Sequence, residues 1–250
     1  RNNEAFHTIN GEASADALAL DGGVTITEAD DFSAGGGITT VEQITANGDA
    51  SSAISVTLES GANSAGLDTV DLSGDTDASG TNVIDVSAVT GTGFTLTGSD
   101  GNDTITGSGM VDTFTGGAGA DTFVNADIAN EGNDNFNFFT TDADGANVGA
   151  GADQLQFSKA DLEGQTDFMA FTGGGGIDIG GGTEVEFVSG AGAQTAGGTG
   201  AAFLFNETSG QLSFDADGTA TNAAAVNIIG TLFSDTSTTD ITDLAAADFT

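Results

Sequence analysis

The sequence predicts an all-β chain with very little helix: a short parallel β-roll, or β-solenoid, flanked by β-sandwich-like or hairpin-rich segments. Three observations predict it. Residues 98–124 fall into three unbroken nine-residue blocks, GSDGNDTIT, GSGMVDTFT and GGAGADTFV. Short alternations of apolar and polar residues recur around them, as in ISVTLES at 54–60, DTVDLS at 68–73, NVIDVSAV at 82–89 and FTLTG at 94–98. Each is soon followed by Gly, Asn or Asp, the pattern of short strands closed by tight turns. The residues that dominate the chain, Gly, Thr, Ser, Asp and Asn, are weak helix formers.

In chain order, residues 1–60 form an N-terminal β segment with strands of ordinary hairpin length. Residues 61–124 form the nonapeptide-repeat roll, strict over 98–124. Residues 125–250 form a C-terminal β domain of irregular strands. One helical turn is expected there at SKADLEG, 158–164, and another near TDLAAADF, 242–249, with Ser158 and Thr242 suited to N-caps. Glycine clusters at 173–176 and 180–182 flank IDI, and 190–200 is rich in Gly and Ala. These read as turns within a β domain, because strands bound them on both sides.

Charge narrows the function. The 250 residues carry a formal net charge of −36, and the cationic side chains are Arg1 and Lys159, with His7 the one histidine. No basic patch exists to meet phosphates, which excludes nucleic acid, and anionic membrane is excluded on the same ground. Like charges oppose compaction, so cations are the natural partners; acidity also serves solubility. A 38% hydrophobic content with 17 Phe provides a core. No run of 18 apolar residues exists, so no membrane span is expected. The chain has no cysteine and hence no disulfide, so an extracellular location needs another staple. The start, RNNEAFHTIN, is neither a signal peptide nor a methionine start. It reads as a processed product or a fragment.

The repeat supplies the chemistry. Asp103, Asp112 and Asp121 recur at one position, and Ile105, Phe114 and Phe123 follow two residues later. Gly98, Gly101, Gly107, Gly109, Gly116, Gly117 and Gly119 fill the turns before the aspartates. Glycine permits positive φ and close approach, so successive carbonyls can face one point. The aspartate, with Asp100 in the first turn, adds hard oxygen ligands. A turn plus a three-residue strand makes half a coil, so units two apart stack on one edge. Asp103 and Asp121 then share an edge, with Asp85 a rung earlier. Asp112 lies on the other edge, where Phe94 takes the preceding aspartate position. Stacked carboxylates at strand spacing repel unless an ion lies between them. The oxygen cage suits Ca²⁺, which takes 6–8 oxygen ligands. Asp68 and Asp77 keep a spacing of nine further back. Asp134, with Phe136 two later, and Asp153, with Leu155 two later, are isolated half-copies out of phase with the main run.

These units resemble the calcium-binding nonapeptide GGxGxDxUx of the RTX family. GGAGADTFV matches at every defined position; GSDGNDTIT departs at Ser99, and GSGMVDTFT at Ser108 and Met110. The segment AAFLFNETSGQLSFDADGTATNAAAVNIIGTL, then ITDLAAADF, is similar to the C-terminal segment of many RTX proteins. The resemblance implies an uncleaved type I secretion signal near the end and a secreted protein, extracellular or on a bacterial surface. The stretch TTVEQITANGDASSAISVTLESGANSAGLDTVDLSGD is similar in style to surface-layer proteins bearing such repeats. DADG at 142–145 and 215–218 reads first as an Asx-type hairpin turn, with Asp215 and Asp217 secondary calcium candidates. His7 reads as structural, and Glu184 and Glu186 as a solvated strand face.

No HExxH, no GxSxG and no cysteine nucleophile is present, and the aspartates sit in turns, so no enzyme is expected. The sequence therefore points to an extracellular, calcium-dependent structural protein that self-assembles into a surface layer or filament. Its partners would be copies of itself, calcium ions and the type I secretion apparatus. The alternative is the calcium-binding secretion and folding module of a larger RTX adhesin, toxin or hydrolase.

Overall fold

The structure is a computed structural model that describes residues 9–10, 16–27, 38–48, 52–125, 133–137, 153–157, 162, 185–192, 196, 200–218 and 226–232. The chain is strand-rich. The strands are β1 (Ile9–Asn10), β2 (Ala17–Leu20), β3 (Thr25–Thr27), β4 (Ile38–Thr39), β5 (Gln43–Ala46), β6 (Ser55–Thr57), β7 (Thr69–Asp71), β8 (Val83–Asp85) and β9 (Thr95–Thr97). They continue with β10 (Thr104–Thr106), β11 (Thr113–Thr115), β12 (Thr122–Asn125), β13 (Asp134–Asn137), β14 (Gln154–Phe157), β15 (Glu186–Gly190), β16 (Ala202–Asn206), β17 (Gln211–Asp215) and β18 (Val226–Leu232). A single helical turn, α1 (Ala62–Ala65), ends at Gly66, whose φ of 96° is the left-handed value glycine adopts freely. No sequence signal pointed to it.

From β2 to β14, apart from β4, which pairs in parallel with β1, successive strands alternate between two sheets. A six-stranded sheet has the order β14-β12-β10-β8-β6-β3, and a ten-stranded sheet the order β15-β16-β17-β18-β13-β11-β9-β7-β5-β2. From β2 to β14 every pairing within these two sheets is parallel. Each short strand places its central residue inwards. In one sheet Ile26, Val56, Ile84, Ile105, Phe123 and Leu155 lie opposite one another in register; in the other Ile44, Val70, Leu96, Phe114 and Phe136 do. All are buried. Phe114 stacks on Phe136 with centroids 4.9 Å apart, and Phe123 meets both rings edge-on. A strand of three residues buries too little to hold alone, so each strand depends on its neighbours.

Two expectations change. Strands β2, β3, β5 and β6, expected in hairpins, instead pair in parallel with strands later in the chain. Alternation within a strand fixes which face is buried, and a parallel coil satisfies that as well as a hairpin does. One core cluster also runs from Leu20 to Leu232, across both expected boundaries at 60/61 and 124/125. The C-terminal strands are hairpin-rich as expected: β16, β17 and β18 are antiparallel neighbours, with a register irregularity between Leu212 and Ser213, and β18 joins β13 in parallel. Of the turn expected at 158–164 only Leu162 is described; it is helical and buried. The turn at 242–249 and the DADG at 142–145 lie outside the described residues, as do His7 and Glu184. Among the described residues no helix is long and apolar enough to cross a membrane.

Candidate metal centre

The turns between strands bring the aspartates into two ladders, one at each junction of the sheets. The pairing of Thr104 with Thr122, and of Thr122 with Gln154, puts Asp103, Asp121 and Asp153 at successive rungs of one edge. The pairing of Thr113 with Thr95 and Asn135 puts Phe94, Asp112 and Asp134 on the other. All five aspartates are buried, as is Phe94. Asp103 and Asp121 therefore share an edge opposite Asp112, with Phe94 in the aspartate position, as their spacing predicts.

One hydrogen bond repeats along both edges. Each carboxylate reaches back one rung and accepts the backbone N–H of its counterpart there. Asn82 N–H donates to Asp103 Oδ1 (2.8 Å), Asp103 N–H to Asp121 Oδ1 (2.8 Å) and Asp121 N–H to Asp153 Oδ1 (2.9 Å). On the second edge Phe94 N–H donates to Asp112 Oδ1 (2.6 Å) and Asp112 N–H to Asp134 Oδ1 (2.8 Å). The same contact links Asp16 N–H to Glu42 Oε2 and Ile54 N–H to Asn82 Oδ1. A short strand leaves the N–H that precedes it without a ladder partner, and the next carboxylate supplies one.

Three assignments are corrected by this register. Asp85 is not a rung below Asp103: it ends β8 opposite Thr106, and its carboxylate accepts the N–H and hydroxyl of Ser87. Asn82 holds the expected place. Thr104 pairs with Val83, 21 residues back rather than 18, because the segment between β8 and β9 runs nine residues, 86–94, where the turns that follow run six. Asp134 and Asp153 are not out of phase in space; the segments before β13 and β14 absorb the extra residues and the rungs continue. Ser99 and Ser108, departures from the repeat in sequence, are integral to their turns: Ser99 N–H and Oγ both donate to Asp103 Oδ2, and Ser108 N–H and Oγ to Asp112 Oδ2.

The remaining candidates divide by exposure. Asp77 is half-buried and accepts the hydroxyl and N–H of Ser79, which hold its carboxyl below the usual range. Asp68 occupies the rung before Phe94 but is exposed, accepting the Thr69 hydroxyl. Asp100 is exposed on its turn. Asp215 is buried, accepts Gly218 N–H and has its carboxyl raised, chiefly by burial, in accord with an Asx-type turn; Asp217 is half-buried beside it. Sequence reading missed two members. Asp75, fully buried, accepts Asn82 Nδ2 on Oδ2 and Asp77 N–H on Oδ1. Asn82 itself could have been found from its place two residues before inward-facing Ile84.

The glycines are explained by close approach. A Cβ on Gly116 would overlap the Asp121 carboxylate, and one on Gly98 would overlap Gly116 O and the Asp103 carboxylate. Gly117 and Gly119 have φ of 114° and 111°, and Cβ atoms there would meet Ser99 O and Gly101 O. Gly101 likewise lies against Gly80 O, and Gly107 against Asp112 Oδ2 and the Phe114 ring. Turn 116–121 is thus seated on turn 98–103, with Ser99 O and Gly116 O between them and Ala118 N–H donating to Ser99 O (3.0 Å). Gly109 lies half-buried in turn 107–112.

Asp121 Oδ2 is buried and has no hydrogen-bond partner. Burial, with the charges of Asp153 and Asp103, pushes the Asp121 carboxyl up to about 8, against the opposing hydrogen bond from Asp103. Burial also raises Asp103 and Asp112, again against their hydrogen bonds. A buried carboxylate is expensive unless it is paired or holds a metal. Among the described residues no three His, Cys, Asp or Glu side chains converge to hold a metal ion. An ion at these turns would have to draw most of its oxygens from backbone carbonyls. That donor set is hard oxygen throughout and fits Ca²⁺ rather than a soft metal. No family model matches the chain, and no curated protein matches it.

Proposed function

We propose that the chain is an extracellular structural protein whose alternating parallel sheets form an RTX-type β-roll, folded by calcium after secretion and then self-assembling into a surface layer or filament. The observation that carries this reading is the buried, partnerless Asp121 Oδ2, set between closely apposed glycine turns in which Ser99 O and Gly116 O lie against glycines of the neighbouring turn. In a chain of net charge −36 such an atom calls for a cation. Asp121 and the carbonyls around turns 98–101 and 116–119 would hold the ion, and calcium bound there supplies the positive charge the ladder lacks.

Linkage gives the mechanism. An ion that binds the folded state alone stabilises it by mass action. Extracellular calcium modules bind at about 10⁻⁴–10⁻³ M, far above cytosolic calcium, so the chain stays unfolded inside, passes a type I secretion channel and folds outside. Self-assembly is supported by the sheet ends. Among the described residues β15 and β2 close the ten-stranded sheet and β14 and β3 the six-stranded one, each with a neighbour on one side. With no proline in the chain, one common guard against edge pairing is missing. Microscopy of the purified chain in millimolar calcium, then in chelator, tests the reading. Filaments or sheets that dissolve on chelation support it; a chain that stays monomeric in calcium overturns assembly and favours a folding module of a larger RTX protein.

A further inference from the structure

The three contiguous units differ in how the turn meets the second oxygen of the ladder aspartate. Four residues before the ladder aspartate stands Ser99 in the first, Ser108 in the second and Gly117 in the third. In the serine units the second carboxylate oxygen is fully engaged. Ser99 N–H and Oγ donate to Asp103 Oδ2, the hydroxyl at 2.8 Å. Ser108 N–H and Oγ donate to Asp112 Oδ2 at 2.7 and 3.0 Å. Each serine hydroxyl also accepts a backbone N–H of its own turn, from Gly101 and from Met110. Gly117 has no hydroxyl, and the corresponding Asp121 Oδ2 is buried without a partner.

We propose that the Ser99 and Ser108 hydroxyls take the place of a divalent cation at Asp103 and Asp112, so that of these three units 116–121 is the one built for the ion. This rests on the calcium reading above and sharpens it. A cation at Asp103 or Asp112 would have to displace two donors from an already satisfied oxygen, whereas at Asp121 it meets an oxygen with no donor to lose. Hydrogen bonds to a charged acceptor contribute more than neutral ones, so the serine turns need no ion to satisfy their carboxylates once folded. The roll then has an ion-independent part beside an ion-dependent one. The ligand is a hard divalent cation, and calcium is the probe.

Calorimetric titration of the full chain with calcium chloride counts the ions, with circular dichroism at saturating calcium to verify folding. Asp121→Asn is expected to lose one ion per chain, and Asp103→Asn and Asp112→Asn none. Ser99→Gly and Ser108→Gly are each expected to gain one, by removing the hydroxyl donor and letting the turn take the positive φ that Gly117 has, which turns the backbone N–H away and opens the carboxylate oxygen. Asn82 occupies a ladder rung and makes the ladder bond to Ile54 N–H, so the amide variants fit even if a glycine variant fails to fold. Loss of an ion in Asp103→Asn or Asp112→Asn overturns the proposal, as does an unchanged count in folded Ser99→Gly and Ser108→Gly. A wild-type chain that takes up no calcium overturns the calcium reading itself, a distinguishable result.

Discussion

Asp121→Asn should change stability in opposite directions with and without calcium. The Asp121 carboxyl is raised from 3.8 to about 8 in the fold. A folded-state pKa raised this way gives full stability below the unfolded value and loses it as pH rises through the folded one. At pH 7 the group is therefore a burden of about 4 kcal/mol, the cost of keeping a proton that the unfolded chain has released, at about 1.4 kcal/mol for each pH unit above the unfolded pKa. Asparagine keeps the oxygen that accepts Asp103 N–H and drops the charge. Its buried amide N–H₂ costs about 1–3 kcal/mol if it finds no acceptor. The net gain without calcium is roughly 1–3 kcal/mol, which for a chain of this size raises the melting midpoint by roughly 2–4 °C per kcal/mol. The assay is thermal melting by circular dichroism in EDTA, with enough sucrose to fold both proteins, repeated in millimolar calcium. Sucrose is excluded from protein surface and favours burial in both alike. In calcium the order should reverse, because the variant has lost the ion's linkage. A variant less stable in EDTA, or one stabilised by calcium as much as the wild type, refutes the reasoning.

Other outcomes follow from the same geometry. Without calcium, wild-type stability should fall as pH rises from about 4 to about 8, the window set by the Asp121 shift, and calcium should flatten the profile; melting across that range checks it. Asp77→Ala should change calcium-induced folding little, within about 0.5 kcal/mol as for most surface changes. Asp121→Ala should weaken it clearly, since it removes both the orphan oxygen and the acceptor of a buried N–H. Equal effects in a calcium titration by circular dichroism refute that ranking. Gly116→Ala should suppress the calcium response, because the new methyl occupies the place of the Asp121 carboxylate; calorimetry should show a lost ion. Phe114→Ala should cost about 3–5 kcal/mol, since its ring is buried and stacked on Phe136; denaturant titration in calcium measures it.

The strict blocks at 98–124 were legible because nothing interrupts them: a six-residue turn and a three-residue strand repeat without insertion. Asp103, Asp112, Asp121 and Phe94 took their expected edges on that basis. Beyond Asn125 the spacing stretches while the register holds, so counting by nines loses Asp134 and Asp153. The better signal is an acidic or amide residue two before an inward apolar one, as in Asp134 with Phe136, Asp153 with Leu155 and Asn82 with Ile84. Asp85 misleads in the opposite sense: its number is in phase with Asp103, yet the nine-residue segment 86–94 that follows it breaks that phase. The parallel pairing of β2, β3, β5 and β6 was hidden because alternation states which face is buried and says nothing of strand direction. The role of Ser99 and Ser108 was hidden because a departure from consensus marks a changed contact without saying which. Asp75 carries no repeat signal, since its contacts run across a loop to Asn82.

The most direct test of the account is a calcium titration of the purified chain followed by far-ultraviolet circular dichroism, starting in EDTA and running to millimolar calcium, with magnesium as the comparison. The account predicts a cooperative gain of β signal at about 10⁻⁴–10⁻³ M calcium that reverses on chelation and that magnesium does not reproduce at equal concentration. An identical β spectrum in EDTA and in millimolar calcium would contradict it.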